Sequence, residues 1–274
     1  MHAPVHADIH VPPPGHPLAP YVLAVFRVRW DGRTHRETIL PKGNVDLMFN
    51  LGCDVRGTLE GGEAYLAREG SAWVSGVKTR PFRVEPHASV DLLGVSLRAE
   101  WAAAVLPFAP GEIANREAHE APRAFGLAEL GDRLRELPSF DAQCALLLRW
   151  LGGRLRPPRG APLARQACAL LRASREAHPV HATAGALAVS ARHLRRLVTE
   201  HVGVAPAEYV RLARFVDAMH RISRPGPTLG QVAHAAGYFD QAHLCRDFRD
   251  FAGLSPQAYR LCAAPHTPGH LFTS

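Results

Sequence analysis

Apolar and polar positions change their rhythm along this chain. Within "YVLAVFRVRW" at 21–30, Val22, Ala24, Phe26, Val28 and Trp30 alternate with their neighbours, as a half-buried strand requires. Similar short segments follow: "RETIL", "VDLMFNLG", "AWVSGV" and "SVDLLGVSLR", separated by the turn-forming stretches "PKGN" and "GTLEGGE". Near Glu100 the period becomes helical, most clearly in "LAELGDRLREL", where Leu127, Leu130, Leu134 and Leu137 form one stripe. "FDAQCALLLRWLGGRLR" reads as a second long helix, and "PPRGAP" at 157–162 as a linker. Beyond it, short helices alternate with turns as far as Tyr259. The pattern predicts an α+β domain over 17–156, a small β-structure closed by helices, followed by an all-α domain over 163–262. Residues 1–16 and 263–274 are expected to be a disordered and a flexible tail. His2, His6 and His10 are four apart, but Pro4 and the prolines at 12–14 argue against a helix that would gather them on one face for a metal.

The all-α region repeats itself at an offset of 50 residues. "HVGVAPAEYV" (201–210) lies over "FAGLSPQAYR" (251–260), matching Gly203 with Gly253, Pro206 with Pro256 and Tyr209 with Tyr259. Read backwards, "SARHLRRLVTEHVG" lies over "DQAHLCRDFRDFAG". Ser190 and Asp240 suit N-caps, because a side-chain oxygen there accepts from free backbone N–H groups. The pairs Leu194/Val198 and Leu244/Phe248 each share a face. The opposite face carries Arg192, Arg195, Arg196 and Thr199 in the first copy, and Gln241, Ala242, Cys245, Arg246 and Arg249 in the second. A shorter apolar helix and a tight turn precede each, with Gly237 in the second turn and Ala188 at the same place in the first. This is the helix-turn-helix pattern, twice. Thr183, where an apolar residue is expected, and Ala188 make the first copy the weaker match. "PAEYVRLARFVDAMHRIS" joins the copies, with Tyr209, Leu212, Phe215, Val216 and Met219 on an apolar face that suits packing on both.

Charge sharpens this division. The chain carries +7, but residues 1–159 hold 19 basic against 18 acidic side chains, while 160–274 hold 13 Arg against 7 acidic ones. The second segment therefore has the field that attracts a polyanion. The preference for 30 Arg over two Lys (Lys42, Lys78) adds little, since GC-rich coding would produce it. Five scattered cysteines without CxxC spacing read as small hydrophobes rather than as a disulfide or metal set. No apolar run approaches a membrane span, and the N-terminus lacks the basic start and apolar core of a signal peptide, so a cytoplasmic protein is expected.

"GYFDQAHLCRDFRDFAGLSPQAYR" resembles, nearly residue for residue, the C-terminal signature of the AraC/XylS family of bacterial transcription regulators. The resemblance covers about 163–262. It implies that recognition helices present Arg192, Arg195 and Arg196, and Ala242, Cys245 and Arg246, to successive major grooves of double-stranded DNA, with Ser190, Thr199, Gln241 and Arg249 beside them. Leu194, Val198, Leu244 and Phe248 would be core. Ala242 and Cys245 are poor hydrogen-bonding groups, so the second helix would read bases mainly through Arg246 and meet phosphate through Arg249. "LPKGNVDLMFNLG", "VSGVKTRPF" and "VDLLGVSLRAEWAAAVLP" are similar to a sensor-type domain found in front of such domains, implying a small cupin-like β-barrel. A small-molecule effector, RNA polymerase and a second copy of the chain are then candidate partners, besides DNA.

Catalysis finds less support. A metal-dependent cupin needs clustered His and carboxylate ligands, whereas His35, His87 and His119 are isolated and no HxH, GxSxG, P-loop or GxGxxG occurs. Asn44 and Asp46 in "PKGNVD" read as a turn residue followed by a strand residue rather than as ligand contacts. The expectation is a regulator that is not an enzyme and holds no metal or cofactor. The alternatives are a cupin-type enzyme with a DNA-targeting module, and a DNA-binding protein indifferent to sequence.

Overall fold

The alternating segments pair into antiparallel sheets. In the computed structural model, residues 6–30, 36–59, 62, 64–86, 89–118, 125–263 and 269–273 are described. The long strands β2 (Val22–Trp30), β4 (Asn44–Asn50) and β9 (Val90–Arg98) form the middle of a six-stranded sheet. Its order is β1 (His6–His10), β2, β9, β4, β7 (Ala72–Ser75), β10 (Glu117–Ala118). A five-stranded sheet runs β11 (His270–Thr273), β3 (Arg36–Ile39), β8 (Phe82–Pro86), β5 (Val55–Thr58), β6 (Ala64–Ala67). Among the described residues neither sheet closes on itself, so in place of the expected barrel they form two separate sheets. Closure needs tilted strands with a continuous stagger, and β6, β10 and β11 at the edges are only two to four residues long.

The period of two sorts the faces of the larger sheet. The short helix α1 (Ala99–Ala102) follows β9 directly, and on β4, Val45, Leu47 and Phe49 are buried in one cluster with Leu127, Leu130 and Leu134 of α2 (Leu127–Arg135) and Leu147 and Leu151 of α3 (Phe140–Gly152). Leu137 lies beyond the end of α2 and is only half-buried. Asn44, Asp46 and Met48 point the other way, towards the second sheet, where they line a cavity of about 420 Å³. Ala24, Phe26, Val28 and Trp30 of β2 line the same cavity, after a register shift between Val22 and Ala24 turns the strand. The predicted alternation is therefore real, and the apolar face it marks borders the cavity.

Both expected tails contain strands. His6–His10 pairs residue for residue with β2, and Asp8 bonds Arg29 at 2.7 Å. Pro4 and the prolines at 12–14 exclude a helix but not an extended strand between them. His270–Thr273 pairs with β3, almost the whole chain away. Gly269 explains why: its carbonyl accepts from Leu40 N–H at 2.8 Å, and its N–H donates to Tyr259 Oη at 3.1 Å.

The C-terminal half consists of α4 (Ala161–Ala173), α5 (Pro179–Ala186), α6 (Ala191–Val202), α7 (Pro206–Ile222), α8 (Leu229–Ala235), α9 (Gln241–Ala252) and α10 (Pro256–Cys262). Helix α4 starts inside the expected linker, at Gly160 with φ +84°. One continuous apolar cluster runs from the larger sheet into these helices. Within it Phe215 of α7 stacks at 5.0 Å from Phe248 and 5.1 Å from Phe251, and Phe248 lies 5.3 Å from Tyr259.

Tyr259 is fully buried, and its hydroxyl joins Ser223 (2.9 Å) at the end of α7 to the backbone of Gly269 at the start of β11. Tyr259→Phe leaves the Gly269 N–H without that acceptor. It is expected to cost about 1–2 kcal/mol in urea unfolding; an unchanged midpoint would remove this tie from the account.

Candidate nucleic-acid interface and the cavity behind it

Each helix-turn-helix unit is built by the same local devices. Ser190 Oγ accepts from His193 N–H at 3.1 Å, and Asp240 Oδ1 from His243 N–H at 2.7 Å, so α6 and α9 start with equivalent caps. They end equivalently, on Gly203 (φ +95°) and Gly253 (φ +71°). The turns also agree: Gly237 has φ +81° and Ala188 has φ +52°, the left-handed conformation in both units. Alanine thus takes the conformation glycine supplies in the second copy, and the first unit is intact despite its weaker sequence match. Thr183 is buried at its expected apolar position.

Leu194, Val198, Leu244 and Phe248 are each fully buried. The opposite faces are open. Ser190, Arg192, Arg195, Arg196 and Thr199 are exposed on the first unit, and Gln241, Ala242, Arg246 and Arg249 on the second, with Cys245 half-buried between them. Arg196 lies 3.8 Å from Glu200, both side chains well exposed, which is a weak tether. No ion pair among the described residues holds Arg192, Arg195, Arg246 or Arg249.

Packing fixes how the two faces are held. On α7, Leu212, Phe215, Ala218, Met219 and Ile222 are at most 1% exposed. Arg211 adds a polar clamp to the second unit: Nη2 lies 2.8 Å from the buried carboxylate of Asp247 and 2.5 Å from Asp250. Nothing in the local sequence marks Arg211 or Asp247 as partners, because a charge on a basic helix normally faces solvent. The N-terminal region also docks here. Arg172 Nη2 bonds the buried Glu100 at 2.8 Å, and Arg80 donates to the Asp250 carbonyl at 3.3 Å. A Cβ on Gly203 would come within 2.9 Å of the Pro110 carbonyl, so the end of α6 rests on the 3-10 turn Pro110–Ile113.

That turn borders the cavity wall, since a Cβ on Gly76 would overlap the Ile113 carbonyl. Register places Ser96, Asp46, Ser75 and Glu117 opposite one another on β9, β4, β7 and β10, a polar row across four strands. Ser96 donates to Asp46 at 2.5 Å, as does Asn44 at 2.6 Å, while Ser75 donates to Glu117 at 3.0 Å. Lys78 meets Glu117 Oε1 at 2.8 Å and the Arg116 carbonyl at 2.6 Å. Burial raises the Asp46 and Glu117 carboxyls above their usual range. Lys42 donates to His270 Nε2 at 2.5 Å, and the other ring nitrogen of His270 bonds Glu37. Burial lowers both Lys42 and His270. Asn44 and Asp46, read from sequence as plain turn and strand residues, thus stand on the cavity wall. Strand alternation gave the signal for their direction; only the second sheet shows that this side is enclosed.

The cysteines divide. Cys144 and Cys168 are buried, which pushes their thiols up to about 11 and about 12, whereas Cys53 and Cys245 are half-buried and Cys262 is exposed. Among the described residues no three His, Cys, Asp or Glu side chains are grouped to hold a metal; His2, His35, His87 and His119 lie outside those residues. No helix of the described residues is long and apolar enough to cross a membrane.

Two capped helix-turn-helix units with open basic faces define a class, and comparison with known proteins agrees. Residues 183–261 match a family described as a helix-turn-helix domain, and residues 10–119 match a domain of unknown function, DUF6597. The HTH-type transcriptional activator RhaS of Escherichia fergusonii is 32% identical over 85 residues, 31% of each chain. The HTH-type transcriptional regulator Rv1931c of Mycobacterium tuberculosis is 31% identical over 84 residues, 31% of this chain and 32% of its own. The matches thus span about a third or less of these relatives' length. ToxT of Vibrio cholerae, solved with an unsaturated fatty acid bound, shares the fold over 90% of this chain and 97% of its own, at a TM-score of 0.53 and 10% identity. Its C-terminal region is thus similar to the helix-turn-helix region of known transcription regulators.

Ala188 holds a left-handed conformation that costs an L-residue about 1–2 kcal/mol. Ala188→Gly is expected to raise stability by about 0.5–1 kcal/mol, the relief less the greater unfolded-state freedom of glycine. A lower melting temperature for this variant would contradict the turn geometry.

Proposed function

We propose that this chain is a sequence-specific DNA-binding transcription regulator without catalytic activity, acting in the cytoplasm on double-stranded DNA. The observation that carries this reading is the repeated unit itself: two helices with matching caps and matching left-handed turns, buried on one face and open and basic on the other. Held by α7, helices α6 and α9 would enter successive major grooves about one helical turn apart. Arg192, Arg195 and Arg196 would serve the first groove, with Ser190 and Thr199 near the backbone. Arg246 would read bases in the second, Arg249 would meet phosphate, and Gln241, Ala242 and Cys245 would line the contact. An arginine paired bidentately with guanine contributes about 1–3 kcal/mol of discrimination.

The N-terminal region, 17–156, is the sensor in this reading, and its two facing sheets form a cupin-like pocket for a small-molecule effector. The ligand-bound state of the ToxT structure supports looking for an effector here. Two routes lead from cavity to DNA face. The polar row adjoins the Pro110–Ile113 turn against the end of α6, and His270 on the cavity wall belongs to the strand tied to α7 and α10 through Tyr259. A bound molecule would shift an equilibrium between arrangements of the two units. RNA polymerase and a second copy of the chain are the protein partners of the reading.

Selection of bound sites from a random DNA pool at physiological salt tests it. Two short base-specific blocks about 10 base pairs apart are expected. Arg196→Ala should weaken binding by about 1–3 kcal/mol and relax one position of one block, and Arg246→Ala should do so in the other. Binding that follows salt and ignores sequence would overturn the proposal in favour of a non-specific role.

A further inference from the structure

The polar row gives the cavity a chemical preference. We infer that the effector of this chain is a small amphiphile whose polar end donates hydrogen bonds, an amine or a hydroxyl, and not a carboxylate. The inference rests on the reading of the cavity as an effector site.

The cavity has a wet end and a dry end. Phe26, Val28, Trp30, Met48, Trp73 and Leu92 line the dry end, in the volume range typical of sites for small ligands. At the wet end three carboxyl groups, Glu37, Asp46 and Glu117, face two amines, Lys42 and Lys78. Both amines already have partners on the protein, Lys78 in Glu117 Oε1 and the Arg116 carbonyl and Lys42 in His270, so neither is a lone charge awaiting a counter-ion. The buried side-chain atom of this wall that has no partner at all is an acceptor. Glu117 Oε2 is buried with no hydrogen-bond partner, on a side chain only 3% exposed. A buried oxygen left this way costs free energy until a donor reaches it. Asp46 stands two strands away in the same row, about 10 Å by strand spacing. A donor headgroup seated over Ser75 would therefore lie between the two carboxyls, with its apolar body towards Trp73 and Met48. A carboxylate in the same place would add a negative charge beside both, and would offer Glu117 Oε2 nothing.

The test is calorimetric titration of the full chain with decylamine, decanol and decanoate, all below their micelle concentrations. The chain's net charge of +7 draws decanoate to its surface, so non-specific attraction works against the expected order. Decylamine and decanol should bind about tenfold more tightly than decanoate. Glu117→Gln, folded by thermal melt, should narrow the advantage of decylamine to about threefold or less. Decanoate binding as tightly as the other two in the wild-type chain would overturn the donor preference and leave the cavity as an effector site. If none of the three bound, the effector reading itself would fall.

Discussion

The arrangement depends on burying one helix from several sides. Connecting helix α7 has no exposed apolar stripe left: Phe215 reaches Phe248 and Phe251 of the second unit, Met219 lies against Gly269, and Leu212 against Gly43 of the sheet region. A close-packed interior cannot deform continuously, so elements sharing this helix keep a fixed separation and angle. The clamp of Arg211 on Asp247 acts in the same sense, because a buried carboxylate is tolerable only while its partner stays in place. The open Arg faces on α6 and α9 are thus presented by one body. Rigid presentation is what a protein needs when two helices must fit a duplex whose groove spacing is set by the DNA.

Much of the helical half was legible in the sequence because its chemistry is local. Caps at Ser190 and Asp240, terminal glycines at Gly203 and Gly253, and the i, i+4 apolar pairs all act within one or two turns of chain. Their repetition at a constant offset made them stand out. The strands were legible too, since alternation is also local. The sheet order was not, nor the join between the ends of the chain, where residues from 270 on pair with residues up to 39. No short-range pattern encodes such a partner. Proline and polar residues near both ends suggested tails, yet each segment is an edge strand that gains its hydrogen bonds from a neighbour already in place.

The candidate sites divide the same way. Nine of the ten residues assigned to the DNA face lie on one side of α6 or α9, as helical periodicity required, while Ser190 caps α6; all but Cys245 are exposed. The polar row of Ser96, Asp46, Ser75 and Glu117 comes from four segments that meet only through sheet register. Each member alone looks like an ordinary strand residue. Lys42 and Lys78, the only two lysines, both reach this cavity while arginine fills the exposed basic positions. A compact ammonium group fits a buried polar end that a planar guanidinium would crowd.

Two helix-turn-helix units held as one rigid body should engage DNA together. The most direct measurement compares affinity for a selected two-block site with that for the same site carrying 5 or 10 extra base pairs between the blocks. A 5-base-pair insertion turns one block to the far side of the duplex and should lower affinity by about 100-fold, to that of a single block. A 10-base-pair insertion restores the facing but not the distance, and should do no better. Equal affinity for all three sites would show that the units bind independently, and would contradict the account.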